Sequence, residues 1–99
     1  MRIISRRRLR QFWQRPARRD AEQPLRAWFR EVEHADWKGP TEVKASFRSA
    51  SVVGDNRIVF NIAGNTYRLV VRINYPYRIV YIRFIGTHPE YDAINVLEV

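Results

Sequence analysis

The sequence predicts an α+β fold, in which N-terminal helices pack on one face of a small antiparallel sheet of three to four strands. Up to residue 47, hydrophobic residues recur every three or four positions, as on one side of an α-helix. From residue 57 onward they alternate with polar residues, as in a strand with one buried face. The 99 residues show no internal repeat and no linker, so we expect one domain spanning residues 1–99.

The first predicted helix begins at Arg6, where Ser5 can cap the free backbone N–H groups. Pro16 ends this helix or follows its end closely. Its apolar stripe consists of Leu9, Phe12 and Trp13. We therefore expect an amphipathic helix whose arginines lie mostly off the buried side.

The second predicted helix follows Asp20, which together with Gln23 resembles a capping box. It continues to about Ala35, and its apolar residues are Leu25, Trp28, Phe29 and Val32. A short helical turn is expected from residue 41 to 47, and a loop from residue 49 to 56.

The C-terminal half predicts a meander of three strands joined by tight turns, at residues 57–62, 67–74 and 79–85. The residues expected to face the helices are Ile58, Phe60, Ile62, Tyr67, Leu69, Val71, Ile73, Val80, Ile82 and Phe84. Gly86 is expected to break the third strand. Residues 1–4 can add a fourth strand.

Basic residues are clustered along the chain. The formal net charge is +8, and residues 1–20 and 57–88 together hold thirteen of the eighteen Lys and Arg. Residues 57–88 contain no acidic residue. Such clustering favours a polyanion as partner, and an acidic protein is the other partner that it suggests.

The composition excludes several classes of protein. There is no cysteine, which excludes disulfides and thiol nucleophiles, and two histidines alone do not predict a zinc site. No run approaches the roughly 20 apolar residues of a membrane helix, so no membrane partner is expected. The arginine-rich start is also typical of organelle-targeting sequences, but we favour a basic helix, no signal peptide and a cytoplasmic location.

Strand alternation places several polar side chains on the sheet face away from the helices. These are Asn61, Arg68, Arg72, Tyr81 and Arg83, with Arg57 at the start of the same face. Guanidinium groups pair with phosphate oxygens and a tyrosine ring can stack on a base, so this face suits RNA. The alternative is the ordinary solvent-facing side of a one-sided sheet.

Two residues indicate catalysis in addition to RNA binding. His88 and Tyr91 directly follow the third strand and so lie at one end of this face. Histidine transfers protons near neutral pH, and RNA supplies its own nucleophile, the 2′-OH. The alternative role for His88 is to cap a loop. Asp92 could orient His88 or Tyr91, or cap a turn. There is no Gly-rich phosphate loop and no cluster of metal ligands, so neither a metal nor another cofactor is expected.

Two stretches of the C-terminal half resemble HigB-type toxins. Residues 59–70 (VFNIAGNTYRLV) resemble their central hairpin. Residues 81–92 (YIRFIGTHPEYD) resemble their terminal signature, a strand followed by Thr-His-x-Glu-Tyr-Asp. The opening residues and the stretches 24–28 and 35–37 are also similar to theirs.

This resemblance implies the fold of the RelE/ParE superfamily and metal-free cleavage of mRNA in the ribosomal A site. It also implies a HigA-type antitoxin with a helix-turn-helix domain that binds the toxin and represses transcription. By position, Arg68 matches a phosphate-binding arginine and His88 matches a catalytic arginine or histidine. Asn61 stands where some relatives carry lysine, and because asparagine cannot take up a proton, the general base is left open. Tyr91 and Asp92 belong to the terminal motif.

We therefore predict a ribosome-dependent mRNA endoribonuclease. In it, Arg68 and Arg83 hold the scissile phosphate and His88 handles a proton. Asn61 and Tyr91 position the RNA. The arginines expected to bind rRNA or the antitoxin are Arg6, Arg7 and Arg10. The alternatives are a ParE-like toxin that poisons DNA gyrase without catalysis, and a plain RNA- or ribosome-binding module.

Overall fold

The structure, a computed structural model, describes residues 1–99 as five strands, four α-helices and one 3₁₀ helix. The strands are β1 (Arg2–Ile4), β2 (Ser51–Gly54), β3 (Arg57–Ile62), β4 (Tyr67–Asn74) and β5 (Ile79–Thr87). The helices are α1 (Arg6–Trp13), the 3₁₀ helix (Pro16–Ala21), α2 (Glu22–Glu33), α3 (Pro40–Ser46) and α4 (His88–Asp92). The predicted α+β class is confirmed.

All five strands form one mixed sheet in the order β1-β5-β4-β3-β2. Strands β2 to β5 are antiparallel neighbours, whereas β1 runs parallel to β5, with Ile3 opposite Val80. The expectation of three to four strands, all antiparallel, is wrong on both points. Residues 51–54, expected as loop, form β2 on the outer edge of β3. Four residues are too few to show an alternating pattern, so only the pairing with β3 makes them a strand.

One face of the sheet packs on the helices, as their apolar stripes predict. Leu9, Phe12 and Trp13 of α1 are buried, as are Leu25, Trp28 and Val32 of α2. Phe60 of β3 lies among three rings, with centroids 5.4 Å from Trp28, 5.0 Å from Phe47 and 6.4 Å from Trp37. This aromatic cluster fixes the helices against the sheet.

The two predicted helix caps are not formed by the side chains. Ser5 is the residue before α1, but its hydroxyl makes no capping hydrogen bond. Asp20 does not cap α2, because the cap position is Ala21 and the Asp20 carboxylate instead accepts a hydrogen bond from the Tyr67 hydroxyl. That bond joins the 3₁₀ helix to the start of β4.

An irregularity in β5 changes which residues face the helices. Val70 of β4 lies opposite Phe84, but the next residue, Val71, lies opposite Ile82, so Arg83 is an extra residue in β5. The expectation that Phe84 faces the helices is therefore wrong, since the bulge turns it to the other face. Gly86 does not break the strand, because it pairs with Arg68 and β5 continues to Thr87.

Candidate functional site

The sheet face opposite the helices, called here the open face, carries three rows of side chains across β3, β4 and β5. They are Asn61–Arg68–Gly86, Val59–Val70–Phe84 and Arg57–Arg72–Tyr81. The outer rows are mainly polar and the middle row is apolar. Arg68 and Arg72 are four residues apart on β4, about 13 Å at the usual rise of a strand. The predicted site residues on the sheet therefore separate into two groups.

The first group, the histidine end, comprises Asn61, Arg68, His88, Tyr91 and Asp92. Asn61 and Arg68 are direct cross-strand neighbours. The Arg68 guanidinium lies over the β3–β4 turn, where Nη2 donates to Asn65 Oδ1 at 2.6 Å and Nη1 to the Asn65 carbonyl at 3.3 Å. A further contact joins Nη1 to the Tyr67 carbonyl at 3.5 Å. These contacts orient the side chain and leave Nε and one Nη2 hydrogen, a forked edge, for a ligand.

His88 is held at this end through its backbone. It is the first residue of α4, and its N–H donates to the Thr66 carbonyl at 3.3 Å. Thr87 and Glu90 form a capping box, in which Thr87 N–H donates to Glu90 Oε1 at 2.8 Å and Glu90 N–H donates to Thr87 Oγ1 at 3.3 Å. A Thr-x-x-Glu spacing stabilises a helix start, so α4 begins at a defined residue.

Glu90 also links α4 to the 3₁₀ helix. The Arg18 guanidinium lies 3.9 Å from Glu90 Oε1. The Thr87 backbone N–H, the Thr87 side chain and the positive charges of Arg18 and Arg15 hold the pKa of Glu90 below its usual range. Glu90 is thus anionic at neutral pH and able to keep both contacts.

One face of α4 carries three of the predicted residues, because His88, Tyr91 and Asp92 are spaced i, i+3 and i+4. His88 Nδ1 lies 3.0 Å from Asp92 Oδ2. An ionised carboxylate only accepts hydrogen bonds, so Nδ1 carries the proton in this pair. The Nε2 atom has no protein partner, and the imidazole is partly exposed. The arrangement leaves one ring nitrogen for proton transfer.

The last residue of the chain, Val99, reaches the open face. A main-chain oxygen of Val99 accepts hydrogen bonds from Arg57 Nη2 at 2.8 Å and from Arg83 Nε at 3.1 Å. Val59 and Val70 of the middle row point to this face and are buried. Val99 is thus held between two arginines of the open face.

The second group, the pocket end, comprises Arg57, Arg72, Tyr81 and Arg83. Arg72, Tyr81 and Arg83 line a pocket of ≈ 500 Å³. Arg57 is different, because it is only 5% exposed and its guanidinium is engaged by Asp55 at 2.5 Å and by Val99. Arg57 is therefore a buried side chain whose guanidinium is already paired.

The N-terminal arginines lie apart from both groups. Helix α1 packs on the sheet face opposite the open face, and Arg7 and Arg10 are exposed on it. The Arg6 guanidinium lies 5.9 Å from the ring centroid of Trp13 and 5.7 Å from that of Phe29. Arg6, Arg7 and Arg10 therefore belong to a second basic surface.

Comparison with protein families decides what kind of protein this is. The model of the HigB toxin family, the RelE-like toxic component of a toxin-antitoxin system, matches residues 21–94. The chain belongs to the HigB toxin family. Membership implies an antitoxin partner. The matched residues include the whole histidine end and the whole pocket end, whereas Arg6, Arg7 and Arg10 lie outside them. No curated protein matches the chain.

In this HigB-family chain, no helix has both the length and the hydrophobicity needed to cross a membrane. No three or more His, Asp or Glu side chains are grouped so that they could hold a metal ion.

Several residues around the HigB-family site were missed by the sequence analysis. Asn65 and Thr66 orient Arg68 and His88, and they lie in a turn whose contacts no periodicity reveals. The Thr87–Glu90 capping box could have been found, because its Thr-x-x-Glu spacing is visible in the sequence. Asp55 could not, since its pairing with Arg57 and Arg72 depends on the strand register.

Proposed function

We propose that this HigB-family chain acts as one RelE-like domain that cleaves translated mRNA on the ribosome and thereby inhibits translation. The observation that carries the proposal is the His88–Asp92 pair, 3.0 Å apart, at the end of the face that presents Arg68. An imidazole with one nitrogen held by a carboxylate and the other unbound is suited to acid–base catalysis. The guanidinium supplies positive charge for a phosphate.

In the proposed reaction, the RNA 2′-OH attacks the adjacent phosphorus atom and loses its proton to water. The bond from phosphorus to the 5′ oxygen breaks, and His88 in its imidazolium form donates the Nε2 proton to that oxygen. The products are a 2′,3′-cyclic phosphate and a free 5′-OH, and the proton that the 2′-OH gave to water returns to His88 Nε2. Arg68 stabilises the charge that develops on the phosphate oxygens. Asp92 orients the imidazole, while Asn61 and Tyr91 position the RNA.

The remaining basic residues are assigned to binding. Arg83 was expected at the scissile phosphate together with Arg68, but it lines the pocket with Arg72 and Tyr81. We therefore assign these three residues to RNA away from the scissile phosphate, because the pocket end lies along β4 and β5 from Arg68. Arg57 supports this end from a buried position. Arg6, Arg7 and Arg10 bind rRNA or the antitoxin. The antitoxin is of the HigA type, with a helix-turn-helix domain, and the toxin acts in the bacterial cytoplasm.

The proposal is tested by primer extension on a translated mRNA after induction of wild type, His88→Ala or His34→Ala. His34 is the matched control, because its imidazole caps α2 by contacting the Arg30 carbonyl at 2.8 Å, outside the site. Wild type and His34→Ala should give the same cuts, and His88→Ala should give roughly 10²–10⁴-fold less cleavage. Equal cutting by all three would remove His88 from the mechanism.

Other outcomes would favour the alternatives. Intact mRNA together with stalled replication after induction would indicate a gyrase-poisoning toxin. Salt-dependent binding to programmed ribosomes without any cut would indicate a plain RNA- or ribosome-binding module.

A further inference from the structure

The pocket end of the open face is a concave pocket that is open to solvent. Its ≈ 500 Å³ are bounded by β4, β5 and the turn that joins them. The polar side chains that line it are Asn56, Arg72, Asn74, Tyr81 and Arg83. Tyr75 and Pro76 form an apolar part of the wall. Pockets of about 300–1,000 Å³ hold ligands of the size of a nucleotide.

We propose that this pocket binds one nucleotide of the RNA, distinct from the nucleotide whose phosphate is cut. This inference rests on the proposed function for the source of the RNA, but the pocket's own chemistry identifies the ligand class. That chemistry has three parts: excess positive charge, an aromatic ring beside the guanidinium groups, and side-chain amides.

The side chains around the pocket carry an excess of positive charge. Three guanidinium groups, those of Arg57, Arg72 and Arg83, face one carboxylate side chain, that of Asp55. Asp55 lies 2.5 Å from Arg57 and 3.5 Å from Arg72. Arg83 has no carboxylate side chain as a partner and donates to a main-chain oxygen of Val99. Arg72 is half exposed, so its guanidinium can reach a phosphate oxygen from solvent.

Tyr81 supplies a ring beside these cations. It pairs with Arg72 across β4 and β5, and Arg83, two residues further along β5, lines the same pocket. The ring is partly exposed and its hydroxyl has no protein partner. Every nucleobase has a flat face that stacks on such a ring, so this contact favours a nucleotide over inorganic phosphate.

The side-chain amides of Asn74 and Asn56 supply both hydrogen-bond donors and hydrogen-bond acceptors. Asn74 Oδ1 accepts a hydrogen bond from the Tyr77 backbone N–H at 3.2 Å, which fixes the amide and leaves its NH₂ group for a ligand. Asn56 also lines the pocket and is exposed. Amides of this kind read base edges, whereas an acidic peptide would use the guanidinium groups and leave the ring and the amides unused.

The position of the pocket explains why it takes a different nucleotide from the one at Arg68. The two ends are about 13 Å apart along β4, and Val99 is held between Arg57 and Arg83 on the same face. An RNA strand that reaches both ends must therefore span this distance, with a different nucleotide bound at each end.

The test is a ¹H–¹⁵N NMR titration of the full chain with each of the four nucleoside 5′-monophosphates. The backbone signals of Arg72, Asn74, Tyr81 and Arg83 should shift. The substitution Tyr81→Ala should weaken binding roughly 5- to 100-fold, as expected for loss of one base-stacking contact. Tyr77→Ala is the matched control, because Tyr77 is 76% exposed in the adjoining turn and does not line the pocket.

Arg72→Gln gives a second variant in case Tyr81→Ala does not fold, since Arg72 is half exposed. It should also weaken nucleotide binding. Three results would overturn the proposal: equal affinity for inorganic phosphate and the nucleotides, no effect of either pocket variant, or pocket shifts with a polyglutamate peptide and none with nucleotides.

This experiment is independent of the cleavage reaction. His88→Ala should lose cleavage and keep nucleotide binding in the pocket. A chain that binds nucleotides in the pocket but never cuts mRNA would contradict the proposed function alone. A chain that cuts mRNA but binds no nucleotide in the pocket would contradict only the present inference.

Discussion

His88 and Asp92 are joined through Nδ1 and Oδ2 at 3.0 Å, one turn apart on α4. The carboxylate fixes the proton on Nδ1 and keeps Nε2 for the substrate. Asp92→Ala should therefore lower the rate of mRNA cleavage about tenfold or more, but less than His88→Ala, because the imidazole remains and only its orientation is lost.

The measurement is cleavage of the mRNA on a programmed ribosome under single-turnover conditions, with ¹⁵N NMR of the His88 ring as a second readout. Asp92→Ala should also change the distribution of the ring proton between the two nitrogens. An unchanged rate and an unchanged ring spectrum would show that Asp92 only caps a turn.

Acid should loosen α4 through Glu90. The Thr87 backbone N–H is the main cause that lowers the pKa of Glu90 in the folded chain. The ionised Glu90 side chain therefore stabilises the fold fully above the pKa of the unfolded chain, about 4.3. This stabilisation is lost as the pH falls through the lower pKa of the folded chain. Glu90→Ala should cost at most about 1 kcal/mol, since the side chain is nearly half exposed.

Hydrogen exchange of the α4 amides between pH 7 and 3 measures this loss. Glu90→Gln is the informative control, because glutamine can complete a capping box but cannot titrate. Its α4 amides should show little of the acid dependence. The same pH profile in wild type and Glu90→Gln would exclude Glu90 as the cause.

The Tyr67–Asp20 hydrogen bond should contribute to global stability. Tyr67→Phe removes the hydroxyl from a side chain that is 2% exposed and leaves Asp20 without its donor. The expected cost is about 1–3 kcal/mol in the free energy of unfolding, measured by urea titration. Tyr77→Phe, at an exposed position, should cost nothing measurable.

Alkaline pH tests the same contact. Burial raises the pKa of Tyr67, and Asp20 raises it further. The stabilisation from Tyr67 is therefore complete below the pKa of the unfolded chain, about 10. It is lost as the pH rises through the higher pKa of the folded chain. Tyr67→Phe should flatten this part of the stability profile. An unchanged profile would contradict the assignment.

Gly86 should be sensitive to the addition of one methyl group. A Cβ there would lie 2.6 Å from Phe84 Cζ and 3.1 Å from Glu90 Oε1. The ring of Phe84 is partly exposed and can turn, so Gly86→Ala should cost about 1 kcal/mol, at the lower end of overpacking effects. The shift of Phe84 and Glu90 should disturb α4, and cleavage should fall.

The check combines urea unfolding with the cleavage assay. Adding Phe84→Leu, which removes the Cζ atom, should restore much of the stability lost in Gly86→Ala. If the double variant is no more stable than the single one, the clash with Phe84 is not the cause.

The sequence predicted those parts of the candidate site whose residues are close together in the chain or lie on one strand. Its closeness in the chain allowed Asp92 to be considered as a partner of His88 or Tyr91, and strand alternation assigned Asn61, Arg68, Arg72 and Tyr81 to one face. Alternation could not show that these residues separate into two ends, because their positions relative to one another and to Val99 depend on how β3, β4, β5 and the C-terminal residues come together.

The sequence by itself determined the α+β class, the helices with their buried stripes and the inward faces of β3 and β4. These follow from the repeat of 3.6 residues in a helix and of two in a strand, which act over neighbouring residues. Only the tertiary structure decided the parallel pairing of β1, the strand β2, the bulge that turns Phe84 outward and the bond from Tyr67 to Asp20. Each of these depends on contacts between distant parts of the chain, and a local pattern of hydrophobic residues does not encode their register.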